Sequence, residues 1–403
     1  MPAKPLKGIR VLDLSRILAG PWCSQQLADL GAEVIKIERP GEGDDTRRWG
    51  PPWLEQSHEA AYYLGANRGK QSVTVDMANP EGQALLHKLV QQCDVVLENF
   101  KVGGLKKYHL DYESLKAIKP DLIYCSITGF GQDGPYAQRA GYDFMIQGMG
   151  GLMSLTGQPD SEVGGGPVKV GVAFADIFTG MYAANAIMAA LFQRHQTGEG
   201  TFIDLALLDV QVGVLANQAL NYLTSGHVPQ RLGNAHPNIV PYQAFATADG
   251  HLILAVGNDG QFRRFCEVAG CSELADDPRF QTNALRVQHR AELIPLLLGP
   301  LQQKTTDQWL DVLEQVGVPC GPINTLDRVF EDPQVKHRGL KISLPHPQDG
   351  SVNLVSNPIR FNGEALNATT APPLLGQHTD EVLARCLSLS ESELAELKQK
   401  GVI

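Results

Sequence analysis

Val11-Leu-Asp-Leu-Ser-Arg-Ile-Leu-Ala-Gly-Pro21 and Leu30-Gly-Ala-Glu-Val-Ile-Lys-Ile-Glu-Arg-Pro40 are the two segments that begin the fold. Their apolar runs predict short strands over residues 9–14 and 32–38. Between the strands, Pro21 suits the first turn of a helix and Gly31 suits its C-terminal stop. Strand, helix and strand in this order predict a βαβ unit, the building block of a parallel sheet.

The turn between the first strand and its helix argues against dinucleotide binding. It reads Leu18-Ala-Gly-Pro-Trp-Cys23, without the G-x-G-x-x-G that lets a backbone approach a pyrophosphate closely. Glu38 lies about where a ribose-binding acid would be found. Because the glycines are missing, we do not expect NAD to bind here.

The alternation of strand and helix continues to about residue 130. Asn79-Pro80 opens a helix that ends near Cys93, and strands follow over residues 94–98 and 122–127. This pattern predicts a parallel sheet with right-handed crossovers. The glycine-rich stretch over residues 148–166 suits either a functional lid or a surface loop, and the sequence does not choose between them.

The rest of the chain predicts a second, smaller α/β unit. A connector leads to strand and helix patterns between residues 244 and 316, and a looped tail ends in a short helix that Ser390 caps. At roughly 100–200 residues per domain, two domains suit this length. The predicted division is a large N-terminal part over residues 1–216, a linker and small α/β domain over 217–329, and a return linker with the C-terminal part of the large domain over 330–403.

Composition excludes several classes of function. The 403 residues carry a net charge of −10, which disfavours a nucleic-acid surface because phosphate binding needs clustered Lys and Arg. The seven cysteines are scattered without a C-x-x-C pair, and no histidines have metal-ligand spacing, so we expect reduced thiols and no metal site. No signal peptide and no apolar run of about 18 residues is recognisable. We therefore expect a cytoplasmic protein without a membrane segment.

An acidic residue stands at the start of an apolar helix pattern. Asp176 lies in Gly171-Val-Ala-Phe-Ala-Asp-Ile-Phe-Thr-Gly180, and small residues at helical spacing follow from Met181 to Phe192. Aromatic neighbours raise the cost of its charge, and buried carboxylates are rare unless they are paired. One interpretation is a helix N-cap, because Asp accepts backbone N–H bonds at that position. The alternative is a functional carboxylate, and the other motifs of the chain favour it.

These further motifs occur in a fixed order. They are Val96-Leu-Glu-Asn-Phe100, Gly129-Phe-Gly-Gln-Asp-Gly-Pro135, Gly141-Tyr-Asp143, Thr197-Gly-Glu-Gly200, Gly317-Val-Pro-Cys-Gly-Pro322 and Pro373-Leu-Leu-Gly-Gln-His-Thr379. With the two opening segments, they make the chain resemble the family III coenzyme A-transferases, the group that contains formyl-CoA and carnitine CoA-transferases. The resemblance covers almost the whole chain.

This resemblance implies a fold, an assembly and a set of substrates. The implied fold is α/β, with a Rossmann-like large domain around a parallel sheet and a smaller α/β domain. The large domain is built from both ends of the chain, and ring-shaped subunits interlock as a homodimer. The implied co-substrate is coenzyme A as an acyl-CoA, the partner substrates are small carboxylic acids, and no metal takes part.

The resemblance also implies a nucleophile. Asp176 matches the family's catalytic aspartate, which attacks an acyl-CoA to give a mixed anhydride and then an aspartyl–CoA thioester. A protein carboxylate in a dry site divides a slow exchange into easier steps and needs no base. The oxyanions need backbone N–H donors, for which residues 148–151 and 233–237 are the candidates.

By the same resemblance, a set of residues is expected to contact CoA. The set is Leu18, Ala19, Arg39, Val75, Asp76, Met77, Ala78, Asn99, Phe100, Lys101, Lys107, Arg139 and Tyr142. Arg39 is the best nucleotide contact, because a guanidinium can both stack and pair with phosphate. Ala78 and Ala140 stand where some relatives carry Lys, and Lys101 and Arg139 lie close enough to compensate. Each basic residue taken alone also suits a solvated surface charge.

Two further residues are candidates for substrate contact. Asp143 follows Tyr142 and either hydrogen-bonds within the active site or caps the next helix. His236, in Asn234-Ala-His-Pro-Asn-Ile-Val-Pro-Tyr242, either reads a substrate carboxylate or is incidental in a proline-flanked loop. The sequence leaves both pairs of alternatives open.

Two other functions compete with transfer. The α-methylacyl-CoA racemases share the fold but carry a catalytic His in a Gly-His-Asp triplet, which here is Gly141-Tyr142-Asp143. Because tyrosine has an ordinary pKa near about 10, it is a poor base near neutral pH. A non-catalytic acyl-CoA binder is disfavoured by the retained Asp176.

The stretch over residues 235–245 is similar to the branch that uses dicarboxylates, so we expect a succinyl-CoA donor and a short dicarboxylate or branched acid as acceptor.

Overall fold

A computed structural model describes residues 4–403 of the chain. Its strands are β1 (Arg10–Asp13), β2 (Glu33–Glu38), β3 (Lys70–Thr74), β4 (Val95–Glu98), β5 (Ile123–Thr128), β6 (Thr201–Ala206), β7 (Tyr242–Ala246), β8 (His251–Ala255), β9 (Cys320–Pro322), β10 (Lys341–His346), β11 (Gly350–Val355), β12 (Arg360–Phe361) and β13 (Glu364–Ala365). Its helices are α1 (Ala19–Asp29), α2 (Ala61–Leu64), α3 (Pro80–Gln91), α4 (Tyr112–Ile118), α5 (Asp143–Met149), α6 (Leu152–Leu155), α7 (Phe174–Thr197), α8 (Leu207–Gly213), α9 (Ala216–Ser225), α10 (Asp259–Ala269), α11 (Glu273–Asp276), α12 (Asn283–Gln288), α13 (Arg290–Leu301), α14 (Thr306–Gln315), α15 (Leu326–Glu331), α16 (Pro333–His337), α17 (Thr379–Leu387) and α18 (Glu391–Gln399).

The first six strands form one parallel sheet. Its order is β3-β2-β1-β4-β5-β6, so the chain runs outward from β1 to one edge and then returns to build the other half beside β1. Val11 of β1 pairs with Val34 on one side and with Val95 on the other. The prediction of an α/β fold with a parallel, Rossmann-like sheet is confirmed.

Both faces of this sheet are covered by apolar side chains, as a parallel sheet requires. Successive strand residues point to opposite faces. Val11 and Val34 therefore join a core with helices α1 and α7, whereas Leu12 and Ile35 join a core with α3 and α17. All four side chains are fully buried. Because α17 comes from the C-terminal part of the chain, both ends of the sequence contribute to the core that covers this face of the sheet.

The described chain forms two compact units. The larger contains residues 4–152, Val170–Leu220 and Pro333–Ile403, and the smaller contains Met153–Lys169 and Asn221–Asp332. The smaller unit has the antiparallel sheet β7-β8-β9 and an apolar core around Phe245, Leu254 and Trp309. The division drawn from sequence placed residues 153–169 in the large domain, whereas in the structure they group with the smaller unit.

Helix α7 is longer than the pattern from Met181 to Phe192 predicted. It runs for 24 residues and, by length and composition, is apolar enough to cross a membrane, which corrects the expectation that no segment reaches that length. Core helices of soluble proteins pass the same test. One face of α7, with Ala183, Ala184 and Ile187, is packed into the core beside the sheet. We therefore interpret α7 as a core helix.

Helix ends follow the capping residues that the sequence indicates. Asn79 accepts a hydrogen bond from the N–H of Glu81 at the start of α3. Ser390 forms a capping box with Glu393 at the start of α18. Helix α1 begins at Ala19, and Pro21 lies in its first turn as predicted, where a backbone N–H is not needed.

Candidate active site

The site begins as a cleft at the carboxyl end of the parallel sheet. β1 and β4 are neighbours, but the chain leaves them in opposite directions, and such a switch point opens a crevice beyond the strand ends. Segments that follow β1, β4 and β5 line a cavity of about 450 Å³ there. A second cavity of about 340 Å³ adjoins it, since Arg16, Phe100 and Tyr108 line both.

Most of the residues expected from the sequence meet at these two cavities. The larger cavity is lined by Leu18, Ala19, Asn99, Phe100, Lys101, Lys107, Arg139, Tyr142, Asp143 and Asp176. The smaller cavity is lined by Arg39, Val75, Asp76, Met77 and Ala78. His236 belongs to the smaller unit and lines neither cavity.

Asp176 lies in the first turn of α7 and lines the larger cavity. It is not the N-cap, because α7 is preceded by Ala173, which has no capping side chain. The residue is half-buried. Burial raises the pKa of Asp176 to about 7, and the negative charge of Asp143 adds to the rise. Near neutral pH this carboxyl group is therefore divided between its neutral and ionised forms.

Asp143 supplies the cap that α7 lacks, from the start of another helix. Its Oδ1 accepts hydrogen bonds from the N–H of Ala175 at 2.8 Å and from the N–H of Asp176 at 3.3 Å. Its Oδ2 accepts from Nε2 of Gln147 at 2.7 Å. Of the two alternatives that the sequence left open, Asp143 does not cap the next helix, because α5 has no side-chain cap, and it instead hydrogen-bonds beside Asp176.

A side-chain clamp that sequence analysis did not find joins two walls of the larger cavity. Oδ1 of Asn99 accepts from the N–H of Arg16 at 2.9 Å, and Nδ2 of Asn99 donates to the carbonyl of Arg16 at 2.7 Å. Ile17 follows at a φ of 71°, a conformation that a β-branched residue rarely adopts. Arg16 also lies over the Phe100 ring, 5.5 Å from its centre, and pairs with Asp45 at 3.1 Å. The place of Arg16 inside the opening motif was the signal in the sequence that could have indicated this role.

Glu98 is a buried acid behind the cavity wall, and sequence analysis missed it too. It ends β4, and its Oε2 accepts from the N–H of Phe100 at 2.7 Å. Burial raises the pKa of Glu98 to about 7, while hydrogen bonds from Ser126 and Phe100 oppose the rise. An acid that closes an apolar strand was the available signal. Through Phe100, this carboxyl group holds the turn that carries Asn99.

The smaller cavity has an exposed cation at its rim and a buried ion pair in its wall. Arg39 is exposed and pairs with Glu42 at 3.1 Å, a surface pair that contributes little to stability and leaves the guanidinium accessible to a phosphate. Lys36 is fully buried and pairs with Asp44 at 2.9 Å. Glu38, at the place of a ribose-binding acid, is instead bound to Arg47 at 2.7 Å.

Three glycine N–H groups in the segments considered as oxyanion donors bond to carbonyl groups of the protein. Gly150 and Gly151 donate to carbonyl groups in the turn that ends α5. Gly233 donates to the carbonyl of Gly157 at 3.0 Å. These three N–H groups are engaged within the protein, and the donation of oxyanion hydrogen bonds by residues 148–151 or 233–237 stays a prediction.

His236 has local contacts within the smaller unit. Its Nδ1 accepts from the N–H of Asn238 at 3.1 Å, and its ring lies 5.2 Å from the ring of Tyr242. Burial and the charge of Arg290 lower the pKa of His236. Among residues 4–403, no group of three or more His, Cys, Asp or Glu side chains is placed to hold a metal ion.

Known proteins are similar to this chain in both sequence and fold. Residues 6–379 match the profile of CoA-transferase family III. The chain belongs to this family. It is 54% identical to the succinate–glutarate CoA-transferase of Agrobacterium fabrum, over 94% of this chain and 95% of that protein. It is 46% identical to the human succinyl-CoA:glutarate CoA-transferase, over 99% of this chain and 90% of that protein.

A solved structure from the same family agrees with the fold. It is a CaiB/BaiF family protein from Brucella suis, 55% identical, which superposes with a TM-score of 0.84 over 95% of this chain and 99% of that one. The protein is therefore a CoA-transferase, as its motifs implied, and CoA thioesters are the co-substrates of this family.

Proposed function

We propose that this transferase moves coenzyme A between succinate and glutarate, with succinyl-CoA as the donor. Both curated relatives described above are named for these two acids. The observation that carries the proposal is one cavity that holds the carboxyl group of Asp176 and four cations. The cations are Arg16, Lys101, Lys107 and Arg139. A carboxylate nucleophile among positive charges suits both an anionic acyl-CoA and an anionic acid.

In this proposal Asp176 is the nucleophile. Its carboxylate oxygen attacks the thioester carbonyl of succinyl-CoA, the C–S bond breaks, and CoA leaves as a thiolate from a mixed anhydride. The thiolate then attacks the carbonyl carbon of Asp176, which releases succinate and leaves an aspartyl–CoA thioester. Glutarate attacks this thioester, and the thiolate returns to the glutaryl carbonyl of the new anhydride. Glutaryl-CoA leaves and the carboxylate is restored.

The two adjoining cavities suit the two ends of CoA. Arg39 at the smaller cavity would take the nucleotide phosphates, and Val75 and Ala78 would contact the nucleotide beside it. The pantetheine arm would then pass Phe100, which lines both cavities, and carry the thioester toward Asp176. This direction follows from the position of Asp176, since only the thioester end of CoA reacts.

An exchange assay tests the reaction and the acceptor together. Purified protein is incubated with succinyl-CoA and glutarate, in parallel with malonate, adipate and short monocarboxylates, and the CoA esters are separated by mass. We expect glutaryl-CoA with an equal amount of free succinate. Transfer only to monocarboxylates would overturn the substrate proposal, and no exchange with any acid would overturn the proposed reaction.

A single substitution tests the nucleophile. Asp176→Asn keeps the size of the side chain but cannot form the anhydride, so we expect transfer to fall by about a thousandfold or more, with CoA affinity within a few-fold. Asp209→Asn is the matched control, because it removes an exposed acid from the first turn of α8. Full exchange by Asp176→Asn would contradict the mechanism.

The racemase alternative lacks its second base, because Tyr142 lines the cavity where racemases carry His.

We also propose a cytoplasmic homodimer. The seven cysteines, all within the described residues, are unpaired, which suits a reducing compartment. The dimer follows from the family's interlocked assembly, and its test is given with the whole molecule below.

A further inference from the structure

We infer that Asp143 is a positioning residue for Asp176, because its carboxylate supplies from α5 the cap that α7 lacks. The inference rests on the proposed function, in which Asp176 is the nucleophile. A helix leaves its first N–H groups without intrahelical partners, and Ala173 has no side chain to accept them. Oδ1 of Asp143 accepts two of these groups, from Ala175 and from Asp176 itself. The backbone of the nucleophile is thus fixed by a second acidic residue.

Asp143 is in turn held by a fully buried amide. Gln147 lies one helical turn after Asp143 and donates from Nε2 to its Oδ2 at 2.7 Å. Oε1 of Gln147 accepts from the N–H of Val170 at 2.9 Å, which fixes the orientation of the amide. Three N–H donors therefore converge on the Asp143 carboxyl group, the arrangement that an acceptor-only, ionised carboxylate takes.

The same geometry puts a negative charge beside the nucleophile. Burial and the charge of Asp143 both raise the pKa of Asp176. A carboxylate with a raised pKa is the stronger nucleophile, and like charges in contact destabilise each other. The repulsion ends when Asp176 is acylated, because neither the anhydride nor the thioester carries a charge there. Asp143 therefore raises the energy of the free carboxylate without raising that of the covalent intermediates.

The cavity that Asp176 lines also contains other charged groups. The cations that line the same cavity are Arg16, Lys101, Lys107 and Arg139. Tyr62 is a further titratable group near both carboxylates: burial raises the pKa of its phenol, and the charges of Asp176, Asp143 and Asp44 add to that rise. These groups are unchanged between wild type and variants of Asp143, so a comparison of pH profiles isolates the Asp143 charge.

Asp143→Asn separates charge from position. An amide oxygen can keep both backbone hydrogen bonds, since Asn is as good a cap as Asp, while the charge and the acceptor for Nε2 of Gln147 are lost. The kcat/KM of transfer is measured from about pH 5 to about pH 9 for the wild type, Asp143→Asn and the control Asp209→Asn. We expect the acidic limb of the Asp143→Asn profile to move down by about one pH unit. The profile of Asp209→Asn should overlay that of the wild type.

A second pair of variants tests the cap itself. Asp143→Ala removes both hydrogen bonds, so we expect kcat to fall by about tenfold to a hundredfold, with the KM for succinyl-CoA within a few-fold. Asp143→Glu keeps the charge and displaces it, so its acidic limb should stay at the wild-type position while kcat falls. This variant carries the test if Asp143→Asn does not fold.

Two results would overturn the inference. One is an acidic limb that stays in place in folded, active Asp143→Asn. The other is a kcat for Asp143→Ala equal to that of the wild type. Absence of transfer by the wild type would instead contradict the proposed function, so the two failures are distinguishable.

Discussion

Asp176 is held in a state that costs the folded protein stability, because its half-buried carboxyl group lies beside another carboxylate. Its folded pKa of about 7 stands above the ordinary value near about 3.9. The stability that the neutral group contributes is thus complete below about pH 4 and is lost as the pH rises to about 7. The proposed reaction needs the ionised form, so the activity should rise over the pH range in which this stability disappears.

The first prediction at this scale is a pH-dependent stabilisation. Asp176→Asn cannot ionise, so its melting temperature should exceed that of the wild type by about 1–3 °C at pH 8 and by less at pH 5. Circular dichroism melts at the two pH values measure the difference. An advantage of Asn that is equal at both pH values would contradict the raised pKa.

The second prediction concerns Glu98 and the turn that it holds. Glu98→Ala leaves the N–H of Phe100 without its acceptor and loosens the turn that carries Asn99, so we expect the KM for acyl-CoA to rise by about tenfold. Glu98→Gln keeps an acceptor oxygen and should stay within about threefold of the wild type. Steady-state kinetics with varied succinyl-CoA measure both values. An unchanged KM in folded Glu98→Ala would show that the turn does not depend on this carboxyl group.

At the scale of elements, the contact between α1 and α7 sets the relation of Ala19 to Asp176. Gly180 lies one turn after Asp176, and a Cβ atom there would meet the carbonyl oxygen of Ala19 at 2.6 Å and the Cβ of Trp22 at 3.0 Å. The two helices can approach this closely only because residue 180 has no side chain. A wall of the larger cavity and Asp176, the proposed nucleophile, are therefore coupled through one glycine.

Gly180→Ala should push these helices apart. We expect a loss of about 1–3 kcal/mol in the free energy of unfolding and at least a tenfold fall in transfer. Gly213→Ala is the matched control, because a Cβ atom at that position in α8 meets nothing within 4 Å, and its free energy of unfolding should change by about 0.5 kcal/mol or less. Denaturant titration and the exchange assay measure the two effects. A fully active Gly180→Ala would show that the helix spacing does not control the site.

At the scale of the whole molecule, α7 exposes apolar side chains although its other face lies in the core. Met181, Tyr182 and Phe192 are 45%, 47% and 66% exposed. Large apolar side chains exposed along one helix favour an interaction surface there. A second copy of the chain is the proposed occupant, in agreement with the interlocked dimer that the family resemblance implies.

Light scattering after size exclusion tests this assembly. We expect a mass of twice the 43.8 kDa chain. Phe192→Glu places a charge on the exposed face and should shift the mass toward that of one chain, while the exposed substitution Gln193→Glu should not. A wild-type protein that elutes as one chain at micromolar concentration and transfers CoA at full rate would contradict the dimer.

Local sequence was enough to predict the α/β class, the strands around Val11 and Val34, and the position of Asp176 at the start of a helix. These features depend on apolar periodicity and on capping and turn residues, which act over a few positions. The same local signals missed the first turns of α7, which begins at Phe174 and not at Met181. They also suggested a cap for Asp176 that the structure assigns to Asp143.

Three contacts build the site, and they join residues at very different separations along the chain. They are Asp143 with Asp176, Asn99 with Arg16, and Glu98 with Phe100. Glu98 and Phe100 are two residues apart, so their contact is local, and its signal in the sequence was the acid at the end of β4. Asn99 and Arg16 are 83 residues apart, and they meet because β1 and β4 lie side by side at the switch point of the sheet. Asp143 reaches α7 because α5 packs against it. Hydrogen bonds and charges act only over a few ångströms, so the chemistry of this site follows from which chain segments the fold brings together.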